Sequence, residues 1–213
     1  MAHKVHPRIF RIQRTEDWLS RWFVKKNFAK HLKEDFKIRE FFKKNFPEVG
    51  IESIAIERFP GEIKVTIYSA RPGLLIGRGG EGIEKIKKEI EDKVLEKGEK
   101  KTLKIEIIEI RDPWSRANLV AQWMARQIER RLPYRRVLKQ ALERIIQNKE
   151  VQGAKVEVAG RLDGAEIARR EWLKQGKLPR QTFRATIDYA EDRARCTYGT
   201  IGIKVWIYKG EKT

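Results

Sequence analysis

The chain has 213 residues, 40% of them hydrophobic, enough for one or two folded domains and too few for a membrane protein. Lysine and arginine total 48 against 30 aspartates and glutamates, a formal charge of +18, which implies a polyanionic partner, because cations that neutralise phosphates release condensed counterions. The one cysteine, Cys196, permits no intrachain disulfide and no Cys-based zinc site, and suits a reducing, intracellular setting as a small hydrophobe.

Residues 1–16 read as a basic arm. The opening MAHKVHPRIFRIQR spreads its charges and lacks the apolar centre of a signal peptide, while Pro7 discourages helix before it. Met1-Ala2 offers no myristoylation glycine, and no apolar run approaches the ~18 residues of a membrane span. From Asp17 to Phe46 the pattern is helical. Phe28, Leu32, Phe42 and Phe46 recur at multiples of four, Ile38 and Phe41 widen the stripe, and Pro47 and Gly50 end it. Trp18 and Trp22 precede it and could cover a partner or the protein's own core.

Two strands follow, IESIAIERF and EIKVTIYSA, with Pro60-Gly61 as the tight turn of an antiparallel hairpin. Arg71-Pro72-Gly73 breaks the second. A short apolar turn, a glycine cluster and a helix from about Gly80 to Lys97 come next, the helix carrying Ile83, Ile86, Ile90 and Val94 on one face until Gly98 ends it. TLKIEIIEI then alternates as a third strand. Asp112 is the expected cap of a helix opening at Pro113, which carries Trp114, Ala117, Leu119, Val120, Trp123, Met124 and Ile128 before Pro133 interrupts. A second helix spans about Tyr134 to Lys149. The last strands lie in AKVEVAG, QTFRATIDYA and TIGIKVWIY, with GRLDGAEIARREWLKQGKLPR as a loop-rich, basic connector. Trp114, Trp123 and Trp206 occupy apolar-face positions and are assigned to the core.

The stretch LLIGRGGEGIEKI can be parsed two ways. Gly77, Gly79 and Gly82 spell the G-x-G-x-x-G of a dinucleotide turn, which needs a buried strand before it and an acid about 20 residues on. Pro72-Gly73 cuts that strand to Leu74, Leu75 and Ile76, and the acid's place falls at a turn that begins a strand. Gly77 and Gly80 spell G-x-x-G, the loop of a KH module, whose flanking aliphatic slots are filled by Leu75, Ile76, Ile83 and Ile86. Such glycines let the backbone approach a phosphate, the amides opening the next helix favour negative charge, and Arg78 adds a cation. The groove beside Gly77, Arg78, Gly79 and Gly80 would hold about four nucleotides of single strand. A plain tight corner between helices is the bland alternative.

Catalysis finds no support. His3, His6 and His31 have no metal-binding companions, and Glu106 and Glu109, three apart on a strand, face opposite sides. No catalytic residue, metal or cofactor is expected.

The element order, helix-strand-strand-helix-helix-strand, is that of the type II KH fold. KEDFKIREFF, SIAIER, VTIYSARPGLLIGRGGEGIEKI, AKVEVAGRLDGAEIARREW and YGTIGIKVWIYKGE together resemble the bacterial small-subunit ribosomal protein three family, from HKVHP to Gly210. The resemblance implies an α+β chain: a basic arm at 1–16, a type II KH domain at 17–111, and at 112–213 a domain of two helices on a small mixed or antiparallel sheet. It implies a constituent of the ribosome, not an enzyme, sited in the head of the small subunit. Its partners would be small-subunit rRNA, mRNA and ribosomal proteins ten and fourteen, with no membrane. Its location would be cytoplasmic and ribosome-bound, an organelle ribosome remaining open.

By the same resemblance Arg131, Arg135, Arg136 and Lys139 would line the channel by which mRNA enters and help to unwind it. Arg135 and Lys139 share a helical face at i, i+4, and a row of cations can grip any single strand through its phosphates; a merely solvated basic face is the alternative. Lys4, Arg8 and Arg11, with Arg14, suggest an arm that orders against rRNA, and Arg161, Arg169 and Arg170 would meet rRNA phosphates. Two places depart from the family: Arg8-Ile9-Phe10 where a glycine is usual after His-Pro, and Arg78-Gly79 where two basic residues often stand. The second weakens phosphate attraction in the loop. From the residues alone, a free KH-type RNA-binding regulator or processing factor stays open.

Overall fold

The computed structural model of the chain describes residues 5–12, 17–24, 27–93 and 102–211. Expectations on Lys4, Arg14, Val94 and Gly98 therefore lie outside the described residues. Two units form: Trp18–Arg111, and Asp112–Thr213 together with Met1–Asp17.

In the first unit a four-stranded sheet has the order β1-β2-β3-β4, from β1 (Ser20–Arg21), β2 (Ile51–Phe59), β3 (Glu62–Ser69) and β4 (Thr102–Glu109). The β2–β3 pairing is antiparallel and closes at Phe59↔Glu62, so the hairpin turn is Pro60-Gly61, with Gly61 at φ 83°. β4 joins β3 in parallel, Val65 opposite Ile105. Ile54, Ile56, Ile63, Val65, Ile67 and Leu103 point to one side and bury against Ile38 and Phe42 of α1 (Phe28–Asn45) and Ile86 and Ile90 of α3 (Glu81–Lys93). Strand alternation and helical spacing thus converge on one apolar layer.

The first helix differs from its expected form. It starts at Phe28, and Ser20-Arg21 instead pair in parallel with Ile56-Glu57 of β2. The cause is a buried charge cluster. Arg58, its side chain 6% exposed, donates to Glu34 Oε2 at 2.7 Å and to Asp35 Oδ1, while Asp35 Oδ2 accepts from Ser20 Oγ and Trp22 Nε1, each at 2.9 Å. Asp35 thereby latches the segment in an extended form. Trp22 covers its own chain, 5.2 Å from the ring of Phe28 and 5.7 Å from that of His31. The cluster also turns α1. Glu34, Asp35, Ile38 and Phe42 face inward, and Phe28, Leu32 and Phe36 remain exposed, so the expected apolar stripe is split.

The second unit has the sheet order β6-β5-β8-β7, antiparallel throughout, from β5 (Gly153–Gly160), β6 (Arg169–Gly176), β7 (Ala185–Cys196) and β8 (Gly199–Glu211). The connector read as loop holds the whole of β6. Its sequence, RREWLKQG, is too polar to stand out because an edge strand keeps one face in solvent. On one side of the sheet, Val156, Val158, Ile201, Ile203, Val205 and Ile207 pack under α4 (Ala117–Glu129) and α5 (Tyr134–Ile146), which contribute Val120, Met124, Val137, Leu138 and Ile145. Trp114 and Trp123 lie edge to face at 5.2 Å on the margin of this core.

Asp112 does not cap α4. Pro113–Ser115 form a separate 3-10 turn, Arg116 is extended, and the amide of Ala117 donates to Asp188 Oδ2 of β7 at 2.7 Å. The cap comes from a distant strand, where no local spacing rule could locate it. On the opposite face of the sheet, Ala185, Ile187, Tyr189, Trp206 and Tyr208 make a smaller cluster, which accounts for the burial of Trp206.

Candidate nucleic-acid interface

The glycine loop is built by two helix ends. α2 (Gly73–Ile76) stops at Gly77, whose φ of 70° suits a residue without a Cβ, and a 3-10 turn at Arg78–Gly80 leads into α3. Leu75, Ile86 and Ile90 fix this corner in the core. Gly82, the last glycine of the G-x-G-x-x-G parsing, has a packing role: a Cβ there would lie 2.4 Å from the carbonyl oxygen of Leu75 and 2.8 Å from that of Ile76. Gly77 and Gly82 thus find their reason in a helix-to-helix corner, and Gly79 in its φ of 63°.

The electrostatics of the corner are weak. Arg78 is exposed, but Glu81 and Glu84 occupy the first turn of α3, where the helix N-terminus would otherwise favour a phosphate. Lys85 Nζ reaches Glu81 Oε2 at 3.5 Å.

The basic row of α5 is built differently. Tyr134, Val137, Leu138, Ala141 and Ile145 bury one face of the helix, which forces Arg135, Arg136 and Lys139 outward. Arg131 stands exposed just before the helix, in the α4–α5 connection, at φ 64°. Arg135 is the tethered member. Its Nε donates to Tyr134 Oη at 3.0 Å and lies 3.6 Å from Glu171 Oε2, and Tyr134 itself donates to Glu171 Oε1 at 2.7 Å. The hydroxyl and the Arg135 charge hold the Glu171 carboxyl below the usual carboxylate range. Among the described residues, Arg131, Arg136 and Lys139 have no carboxylate within ion-pair distance.

The remaining basic positions divide. Arg161 is exposed; its Nε donates to the Ala165 carbonyl at 2.9 Å and its guanidinium lies over Tyr198 at 5.6 Å. Arg169, paired with Gly160 at the start of β6, and Arg170 are exposed, with Arg170 Nε 3.3 Å from Glu157 Oε1. Arg8 is half-buried.

Arg11 corrects the sequence reading. It is 1% exposed and donates to the carbonyls of Pro7, Ala185, Arg180 and Thr182, so its charge is consumed inside the protein. Phe10 stacks on Phe183 at 4.0 Å and His6 meets Tyr189 edge-on at 4.8 Å. The described part of the arm, at residues 5–12, is docked on its own sheet. Alternation of cations in a polar-looking arm gave no hint that one of them turns inward; the flanking Ile9-Phe10 was the available signal.

The family model described as "KH domain" matches residues 37–115, and that described as "Ribosomal protein S3, C-terminal domain" matches residues 124–207. A protein of Carboxydothermus hydrogenoformans named small ribosomal subunit protein uS3 is 50% identical over 212 residues, covering 99% of this chain and 93% of the relative. That of Caldicellulosiruptor saccharolyticus, of the same name, is 47% identical over 212 residues with the same coverage. The protein of Guillardia theta named small ribosomal subunit protein uS3c is 44% identical over 214 residues, covering 100% of this chain and 97% of the relative.

Proposed function

This chain belongs to the uS3 family of small ribosomal subunit proteins, and from that premise we propose that its α5 row holds mRNA as it enters the subunit. The chain is a structural constituent of the small subunit and not an enzyme. In this reading Arg131, Arg135, Arg136 and Lys139 contact message phosphates without regard to sequence and resist the re-pairing of strands that the moving ribosome opens. Arg161, Arg169 and Arg170, with Lys4 and Arg8, contact rRNA in the head, beside ribosomal proteins ten and fourteen. Gly77, Arg78, Gly79 and Gly80 form a KH loop of low charge that serves mainly the fold. The 17–111 and 112–213 segments would act as the KH and mRNA-facing domains, with the 1–16 arm as an adjunct of the latter.

The observation that carries this reading is the contrast in presentation. The α5 cations are exposed on a helix whose other face is buried, so they keep their spacing while a flexible strand passes. A fixed row loses less entropy on binding than a mobile arm would. Ribosomes carrying Arg135→Ala, Arg136→Ala and Lys139→Ala should assemble normally and translate unstructured messages at the usual rate, yet slow on messages with a stable hairpin. Unimpaired passage through the hairpin would remove the unwinding role.

A further inference from the structure

We propose that the face of the second sheet turned away from α4 and α5 carries a stacking site for one unpaired RNA base, with Trp172 as its platform. Trp172 of β6 is opposite Glu157 of β5, one position from Leu173, which packs into the core on the other side. Trp172 remains 54% exposed, on a strand whose register with β5 fixes its direction. Beneath it Lys155 is nearly buried, its Nζ 4.9 Å from the centre of the Trp172 ring, 4.8 Å from that of Trp206 and 2.6 Å from Glu157 Oε2. A buried ammonium between two indoles, neutralised by one carboxylate, holds the platform in place and polarises it. An indole held rigid on one side and open to solvent on the other, amid cations, has the form of a base-stacking platform.

Charge selects the occupant. Arg170 and Lys174 flank Trp172 at alternate positions of the same strand, and both are exposed. Lys204 and Arg193 extend the cationic face across β8 and β7. The acids on this face are already engaged: Glu157 by Lys155 and Arg170, and Glu191 by Tyr189 and by Lys204 at 3.5 Å. An apolar protein surface laid on Trp172 would strip water from the flanking guanidinium and ammonium groups without replacing it. A nucleotide satisfies both needs, its base on the indole and its neighbouring phosphates beside Arg170 and Lys174. A duplex does not, because its bases are already stacked on one another. This site uses neither the α5 row nor the glycine loop, and it stands whether or not α5 grips mRNA.

The test uses the full chain and two fluorescent single strands of equal length, one of ordinary RNA and one with abasic sugars that keep every phosphate. Trp172→Leu keeps the apolar bulk and removes the aromatic face, and Trp172→Phe keeps a smaller one. Affinity of Trp172→Leu for the ordinary strand should fall about 5- to 150-fold, the range for losing one stacked base, with Trp172→Phe intermediate and abasic binding unchanged. Arg136→Ala with Lys139→Ala should weaken both strands alike and flatten the salt dependence, which separates failure of the α5 reading from failure of this one. Equal loss of Trp172→Leu on both strands, or no loss on either, would overturn the proposal. So would normal RNA affinity combined with poor incorporation into subunits, which would give the face to a protein neighbour instead.

Discussion

The two units place their charges differently around their main cores. In Trp18–Arg111 the decisive cation, Arg58, is sealed between Glu34 and Asp35, and through Asp35 it holds Ser20 and Trp22 in place. In the other unit the core under α4 and α5 is apolar, and the cations of α5 stand outside it. The first unit turns a helix of its core on a buried ion cluster; the second keeps its buried cations, Arg11 and Lys155, out of the core under α4 and α5 and leaves the α5 cations for a partner. The loop that identifies the KH fold belongs to the first, which is why its glycines are prominent and its potential weak.

The sharpest way to break this contrast is Arg58→Met. It leaves Glu34 and Asp35 buried without their counter-ion, a loss of about 3–5 kcal/mol, and hydrogen exchange should rise across β1, α1 and β2 while β5, β7 and β8 stay protected. A small loss would mean the cluster is incidental. Alanine at Arg135, Arg136 and Lys139 should by contrast barely move the unfolding curve, because Tyr134, the buried residue that loses the Arg135 donor, still donates to Glu171. Next in size is Gly82→Ala, whose methyl would press on the Leu75 carbonyl. It should cost about 1–3 kcal/mol as overpacking does, read from denaturant unfolding, whereas Gly79→Ala meets no atom within 4 Å and carries only the strain of its φ of 63°.

Much of this was legible in the sequence, and the omissions share a cause. Period-two alternation placed β3 and β4, the apolar weight of Ile51, Ile54 and Ile56 placed β2, and the Pro60-Gly61 turn fixed the β2–β3 hairpin, because in those segments burial alone decides the pattern. The same logic failed on α1, where two acids go inward and three apolar side chains stay out. A periodicity read from hydrophobicity cannot anticipate an arginine that arrives from β2. It failed again on β6, where an edge strand offers too few apolar residues to register, and with that strand the Trp172 platform was missed. Of the site residues, the α5 row was implied by the family resemblance, and helical spacing put Arg135 and Lys139 on one face, which points outward because the buried face is regular. Arg11 did not, because its acceptors are carbonyls contributed by Arg180, Thr182 and Ala185, far along the chain.

Smaller effects refine the picture of the second unit. Asp188→Ala removes the cap of α4 and should cost about 0.5–2 kcal/mol, visible as faster exchange of the Ala117 amide, with Asp188→Asn recovering part of it. The docked arm supplies the smallest effect and has a pH sign. Burial lowers the His6 pKa from its ordinary 6.5, outweighing the pull of Glu191, and His6 Nδ1 accepts from the Arg8 amide at 3.2 Å. A lowered folded pKa means that the unfolded or undocked arm binds the proton more readily. Docking should therefore be complete above pH 6.5 and weaken as pH falls through the depressed value, seen as faster proteolysis near residue 8 at pH 5.5 than at pH 7.5. His6→Phe should abolish that dependence.

The central claim is that message meets the α5 row and not the glycine loop. A photo-crosslinking residue placed at position 136 or at position 78, in ribosomes paused on a defined mRNA, tests it most directly. The account predicts crosslinks to mRNA ahead of the decoding site from position 136 and none from position 78. Message captured from position 78, with position 136 silent, would contradict it.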